Sequence, residues 1–130
     1  MSETVKLLHV GLQNETEEQA RLFYTTVLGC KVKKTFSLEE KLAKEIFQVN
    51  CSLKAIQFQG DSSVFEVFIL KPPNIASTMH VCIEVEDLDS FLLKCRRYEI
   101  TPRVIHREQK TLYFISDFSG NLFEVKEKQK

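Results

Sequence analysis

Apolar and polar residues alternate with the two-residue period of a strand in eight stretches of the chain, and three intervening stretches switch to the three- and four-residue spacing of a helix. The first run, "VKLLHVGL" (5–12), predicts a strand. Asn14 follows it, with Glu17 three residues later, the spacing of a capping box that pairs free backbone N–H groups at a helix start. Ala20, Phe23, Tyr24, Val27 and Leu28 then recur at helical spacing, and Gly29 supplies the stop, for a helix of about four turns. "CKVKKTFSL" (30–38) predicts a second strand. "SLEEKLAKEIF" (37–47) predicts a short helix, with Ser37 and Glu40 as its capping box. "CSLKAIQFQ" (51–59) and "SVFEVFIL" (63–70) are further strands joined by the turn "GDS" (60–62), and "KPPNIAST" (71–78) is a Pro-rich linker.

After the linker the order restarts. "MHVCIEV" (79–85) is a strand, and Asp87 caps a helix whose apolar stripe is Leu88, Phe91, Leu92 and Cys95. "TPRVIHR" (101–107), "TLYFISD" (111–117) and "NLFEVKE" (121–127) are strands, the last two joined by "FSG" (118–120). The chain therefore reads as strand–helix–three strands, twice, an α+β arrangement with one module over about 5–70 and another over about 79–127. "HV" opens each half and "FEV" closes each, at 65–67 and 123–125, which marks an internal duplication.

The 130 residues suit one compact domain, and a 43% apolar composition with ten Phe can furnish its core. Eighteen basic residues balance eighteen acidic ones, which excludes an electrostatic nucleic-acid binder and a basic membrane binder. No apolar run approaches the roughly 20 residues that span a bilayer. The start "MSETVKLLHV" lacks the features of a signal peptide. A soluble, cytoplasmic protein acting on a small molecule, with no nucleic-acid or membrane partner, is the expectation. Cys30, Cys51, Cys82 and Cys95 form no C-x-x-C pair, so they read as small buried hydrophobes rather than as disulfides or a zinc site.

Two of the three histidines hold the same place in the two leading strands. His9, Gly11 and Gln13 share one face of the first, with Leu8, Val10 and Leu12 opposite. His80, Cys82 and Glu84 share one face of the fifth, with Met79, Val81, Ile83 and Val85 opposite. Glu66 lies in a strand apolar on both faces, where an ionised carboxylate is costly unless paired or metal-bound. Glu124 holds the matching place beside Leu122 and Lys126. A strand histidine alone is ordinarily a hydrogen-bonded core residue, and a strand glutamate ordinarily faces water or an ion pair. The duplication favours a metal site of two imidazoles and two carboxylates, because both ordinary explanations would otherwise have to recur in register. Such a set suits Zn, Ni, Co, Fe or Mn without choosing among them. His106 lies at a polar strand end and is expected to face solvent, Tyr113 either lines a site or packs, and the basic tail "KEKQK" (126–130) is expected to fray.

The chain resembles the vicinal oxygen chelate superfamily, the glyoxalase, bleomycin-resistance and dioxygenase group, over about residues 5–127. "HVGL", "HVCIEVEDL", "FYTTVLGCKV" (23–32) and "DFSGNLFEV" (117–125) carry the resemblance. It implies two βαβββ modules curled into a mixed-sheet cup around a divalent metal ion, with His9, Glu66, His80 and Glu124 as ligands, and commonly a homodimer. It further implies a metal-dependent isomerase or lyase of the glyoxalase I type, with Glu124 or Glu66 also moving the proton. A methylmalonyl-CoA epimerase-like enzyme is an alternative, although those enzymes usually carry Gln at the position of Glu66. Glu40 falls near their second base, or is simply the capping partner of Ser37. A non-catalytic small-molecule binding or resistance module is the third reading, since Gln13 and Leu70 stand where bacterial glyoxalases recognise glutathione with Arg and Asn.

Overall fold

The structure is a computed structural model that describes residues 7–73 and 79–129. The expected strand start at residues 5 and 6, the linker segment 74–78 and the last tail residue, 130, lie outside the described residues. The chain parts into two compact units after Pro73. The first contains β1 (Val10–Asn14), α1 (Glu17–Arg21) continued by a π-helical segment (Leu22–Val27), β2 (Lys31–Leu38), α2 (Glu40–Phe47), β3 (Leu53–Gln59) and β4 (Val64–Ile69). The second contains β5 (His80–Val85), α3 (Leu88–Arg97), β6 (Arg103–His106), β7 (Thr111–Ser116) and β8 (Leu122–Glu127). Each is a βαβββ module, the first with an extra helix between its second and third strands.

In the first unit the sheet order is β1-β4-β3-β2, with β1 parallel to β4 and the other neighbours antiparallel. Ile56, Phe58, Phe65 and Val67 are buried on one face with Ala20, Phe23, Tyr24 and Val27 of the helix. Tyr24 stacks on Phe58 with ring centroids 5.2 Å apart and meets Phe65 at 5.5 Å. Each such side chain contributes roughly 1.5–3 kcal/mol through removal from water. On the opposite face Leu53, Ala55 and Phe68 pack under Ala43 of α2, joined by Phe36, Leu38, Val49 and Leu70. So β4 is covered on both sides, as its unbroken apolar run requires. Helix α2 covers one end of this face and leaves the end bearing His9 and Glu66 open.

The second unit repeats the order as β5-β8-β7-β6, with β5 parallel to β8. Helix α3 packs against β8, and Leu92, Cys95, Ile100, Ile115, Phe123 and Val125 are buried. A four-residue connection closed by Arg107 N–H donating to the Lys110 carbonyl stands where the first unit has α2.

Local details depart from the sequence expectation where the sheet competes for the same residues. Asn14 ends β1 and is fully buried, and the cap of α1 is Thr16, whose side chain accepts from Gln19 N–H at 3.2 Å. Ser37 pairs with Lys54 inside β2, so it caps nothing, and α2 begins at Glu40 without a side-chain cap. Glu40 is therefore not the partner in a capping box. The helix after β1 is shorter than four turns and widens at its end, where Leu28 N–H donates to the Phe23 carbonyl at 2.9 Å. Leu8 and Met79, expected on apolar faces, are exposed because both precede their strands. Cys51 and Cys82 are exposed too, and only Cys30 and Cys95 behave as buried hydrophobes. Lys126 and Glu127 belong to β8, and Lys128 N–H donates to the Val85 carbonyl at 2.8 Å, so the start of the basic tail is tied down. Gly29 at φ +81° and Asp87, which accepts from Ser90 N–H at 3.0 Å, stand as their signals indicate.

Candidate metal centre

The open face of the first sheet carries a row set by strand register. Gly11 of β1 lies opposite Glu66 of β4, Glu66 opposite Gln57 of β3, and Gln57 opposite Lys34 of β2. His9 precedes β1 on the same face as Gly11. Its Nε2 stands 3.7 Å from Glu66 Oε1, too far for a hydrogen bond. The Glu66 side chain is 14% exposed and that of His9 45%, so the carboxylate is set in the sheet and the imidazole edge is accessible. Gln57 Nε2 donates to Glu66 Oε2 at 2.8 Å. The amide holds one carboxylate oxygen and turns the other toward His9.

This pair suits a shared cation. Nitrogen and oxygen donors bind Zn²⁺-like ions at roughly 2.0–2.2 Å, so two donors on one ion stand no more than about 4.2 Å apart. A separation of 3.7 Å satisfies that limit, and an oriented carboxylate with an accessible imidazole is the donor chemistry such ions take.

The second unit repeats the row as Cys82, Glu124, Phe114 and Arg103 on β5, β8, β7 and β6. His80 begins β5, two residues before Cys82, just as His9 stands two residues before Gly11. The pairing beyond is also repeated: Leu70 N–H donates to the Asn14 carbonyl at 2.9 Å as Lys128 N–H does to that of Val85. Each unit thus presents an imidazole diagonal to a carboxylate in one register. Although Cys82 is exposed as a residue, local desolvation of its sulfur, reinforced by the Glu124 carboxylate, pushes the thiol above its ordinary value, so it stays a neutral thiol near neutrality. Among the described residues, neither unit by itself gathers three or more His, Cys, Asp or Glu side chains into a metal-binding group.

Other candidates resolve by register. Tyr113 shares the helix side of its sheet with Ile115, and Phe114 lies on the face of Glu124, so Tyr113 packs rather than lining the open face. His106 is exposed at the end of β6, its Nδ1 3.4 Å from Thr111 Oγ1. Asp117 ties its loop through Oδ1 to the N–H groups of Ser119 and Asn121, and through Oδ2 to the Asn121 amide. The residues that sequence patterning passed over are Gln57 and Lys34. Gln57 shares a strand face with Ala55 and Gln59, and only pairing with β4 sets it beside Glu66.

The chain belongs to the glyoxalase/bleomycin resistance protein/dioxygenase superfamily, whose profile matches residues 6–125. Solved structures share the fold. A glyoxalase family protein from Bacillus cereus superposes with a TM-score of 0.76 at 17% identity, over 99% of this chain and 97% of that one. The fosfomycin resistance protein FosX from Listeria monocytogenes gives a TM-score of 0.74 at 12% identity, over 98% and 96%. A mutant of that FosX, solved with Mn(II) and 1S,2S-dihydroxypropylphosphonic acid, gives 0.73 at 10% identity, over 95% and 93%. Comparison with curated protein sequences yields no match. No helix among the described residues is long and apolar enough to cross a membrane.

Proposed function

We propose that this protein is a divalent-metal-dependent isomerase or lyase of the glyoxalase I type, acting by proton transfer on a substrate with two adjacent oxygens. The observation that carries this reading is the imidazole–carboxylate diagonal that both units hold in the same register. His9, Glu66, His80 and Glu124 are the ligands, from the two halves of one chain or of two chains in a homodimer, and Ni, Zn, Co, Fe and Mn all match the donors. A divalent ion held by these four residues would supply Lewis acidity toward negative charge developing on the substrate oxygens.

The chain's own residues do the rest. Glu66 or Glu124 takes the proton from the carbon next to the oxygens and returns it to the neighbouring carbon. The Gln57 amide occupies Glu66 Oε2, so Oε1 is the one oxygen of Glu66 left to serve either the ion or the proton, and Glu124 takes the other role. A FosX mutant of the same fold has been solved with Mn(II) and 1S,2S-dihydroxypropylphosphonic acid, so this fold can accommodate a divalent metal ion together with a small organic acid.

Metal analysis of cytoplasmically expressed protein purified without chelator tests the reading, together with turnover of the hemithioacetal formed from methylglyoxal and several thiols. Near-stoichiometric metal, lost in His9→Ala and Glu124→Ala along with turnover, is the expected result. Unchanged metal content and turnover in those variants refute the site. Exchange of the α-proton of methylmalonyl-CoA without hemithioacetal turnover assigns the epimerase reaction instead. Ligand binding with neither metal nor turnover assigns a binding module.

A further inference from the structure

The open end of the first unit's sheet contains a cavity of about 430 Å³, lined by His9, Lys33, Lys34, Gln57, Gln59 and the 60–63 turn with its Asp61. Two consecutive strand residues normally point to opposite faces, so Lys33 and Lys34 should not share a cavity. They do because β2 bulges there: Val32 pairs with Phe58 and Lys34 with Gln57, leaving Lys33 as an extra residue. A bulge bends its strand and re-aims a side chain. Lys34 Nζ stands 5.5 Å from the Phe36 ring centroid, and among the described residues neither lysine has an ion-pair partner. Two lysines against the single carboxylate of Asp61 leave the cavity with a net positive lining, which attracts anions.

We propose that this cavity is an anion subsite, in which Lys33 and Lys34 receive a carboxylate, phosphate or phosphonate group of the substrate while its reacting end lies at His9. Only the second half of that statement rests on the proposed function. The subsite would exist without a metal. The amide of Gln59 offers a further donor, and Asp61 sets a limit on how much negative charge the cavity accepts.

The test is an NMR titration of the metal-free full chain at constant ionic strength, using inorganic phosphate, acetate and neutral acetamide as probes. The expected result is saturable shifts at Lys33, Lys34 and Gly60 with an anion and none with acetamide. The tighter of phosphate and acetate identifies the acidic group. K33Q/K34Q should weaken anion binding by about tenfold or more, since charge-assisted hydrogen bonds are lost, while K110Q should leave it unchanged. Binding of acetamide comparable to that of the anions, unchanged binding in K33Q/K34Q, or shifts spread equally over other lysines overturns the proposal. Anion binding in a protein that takes up no metal sinks the proposed function and keeps the subsite. Metal uptake without anion binding does the reverse.

Discussion

Replacing Gln57 by Leu removes the one hydrogen bond the structure shows on the inner oxygen of Glu66, at 2.8 Å, and leaves that partly buried oxygen facing an apolar group. Hydrogen bonds to charged groups are worth about 1.5–3 kcal/mol, and loss of a partner that orients a metal ligand typically costs 10–100-fold in metal affinity. Glu66 is only 14% exposed, so water replaces the amide poorly and the lower end, about tenfold, is the minimum expected. At a free metal concentration 100 times the dissociation constant, binding stabilises the fold by about 2.7 kcal/mol, and a tenfold weaker site retains about 1.4 kcal/mol. The difference, about 1.3 kcal/mol, corresponds to roughly 5 °C in melting temperature for a domain of this size. Competition against a chromophoric chelator reads the affinity, and melting with and without Zn²⁺ reads the coupling. Gln59→Ala, on the same face but without a bond to Glu66, is the control. Gln57→Leu holding metal as tightly as the parent, or Gln59→Ala weakening it equally, refutes the argument that the amide orients the carboxylate.

Phe58→Ala removes a fully buried ring stacked on Tyr24 and should lower unfolding free energy by about 3–5 kcal/mol in urea titrations. Asp117→Ala strips the Asn121 and Ser119 N–H groups of their acceptor and should cost about 1–3 kcal/mol by the same measurement. Burial pushes the Cys95 thiol up to about 11, so the folded state keeps its proton where the unfolded chain has lost it. Stability should therefore fall as pH rises from about 9 to about 11, and Cys95→Ala should flatten that slope in pH-dependent melting. In native thiol labelling, exposed Cys51 should react first and Cys95 last, with Cys82 slower than Cys51 because its thiol is also raised.

The amino-acid sequence by itself determined the elements and their duplication, because strand alternation, helix spacing and signals such as Gly29 and Asp87 act over a few neighbouring residues. It also singled out Glu66, since a carboxylate in a strand apolar on both faces requires a partner. Local signals failed where they competed with a ladder: Asn14 and Ser37 look like helix caps, but each sits in a strand pairing with a distant segment. Tertiary structure alone decided that Gln57 meets Glu66, that Phe114 rather than Tyr113 shares the face of Glu124, and that a bulge turns two successive lysines into one cavity. These are consequences of register, and a one-residue slip would reverse every face. Register is set by contacts between strands far apart in the chain, so no window of sequence contains it.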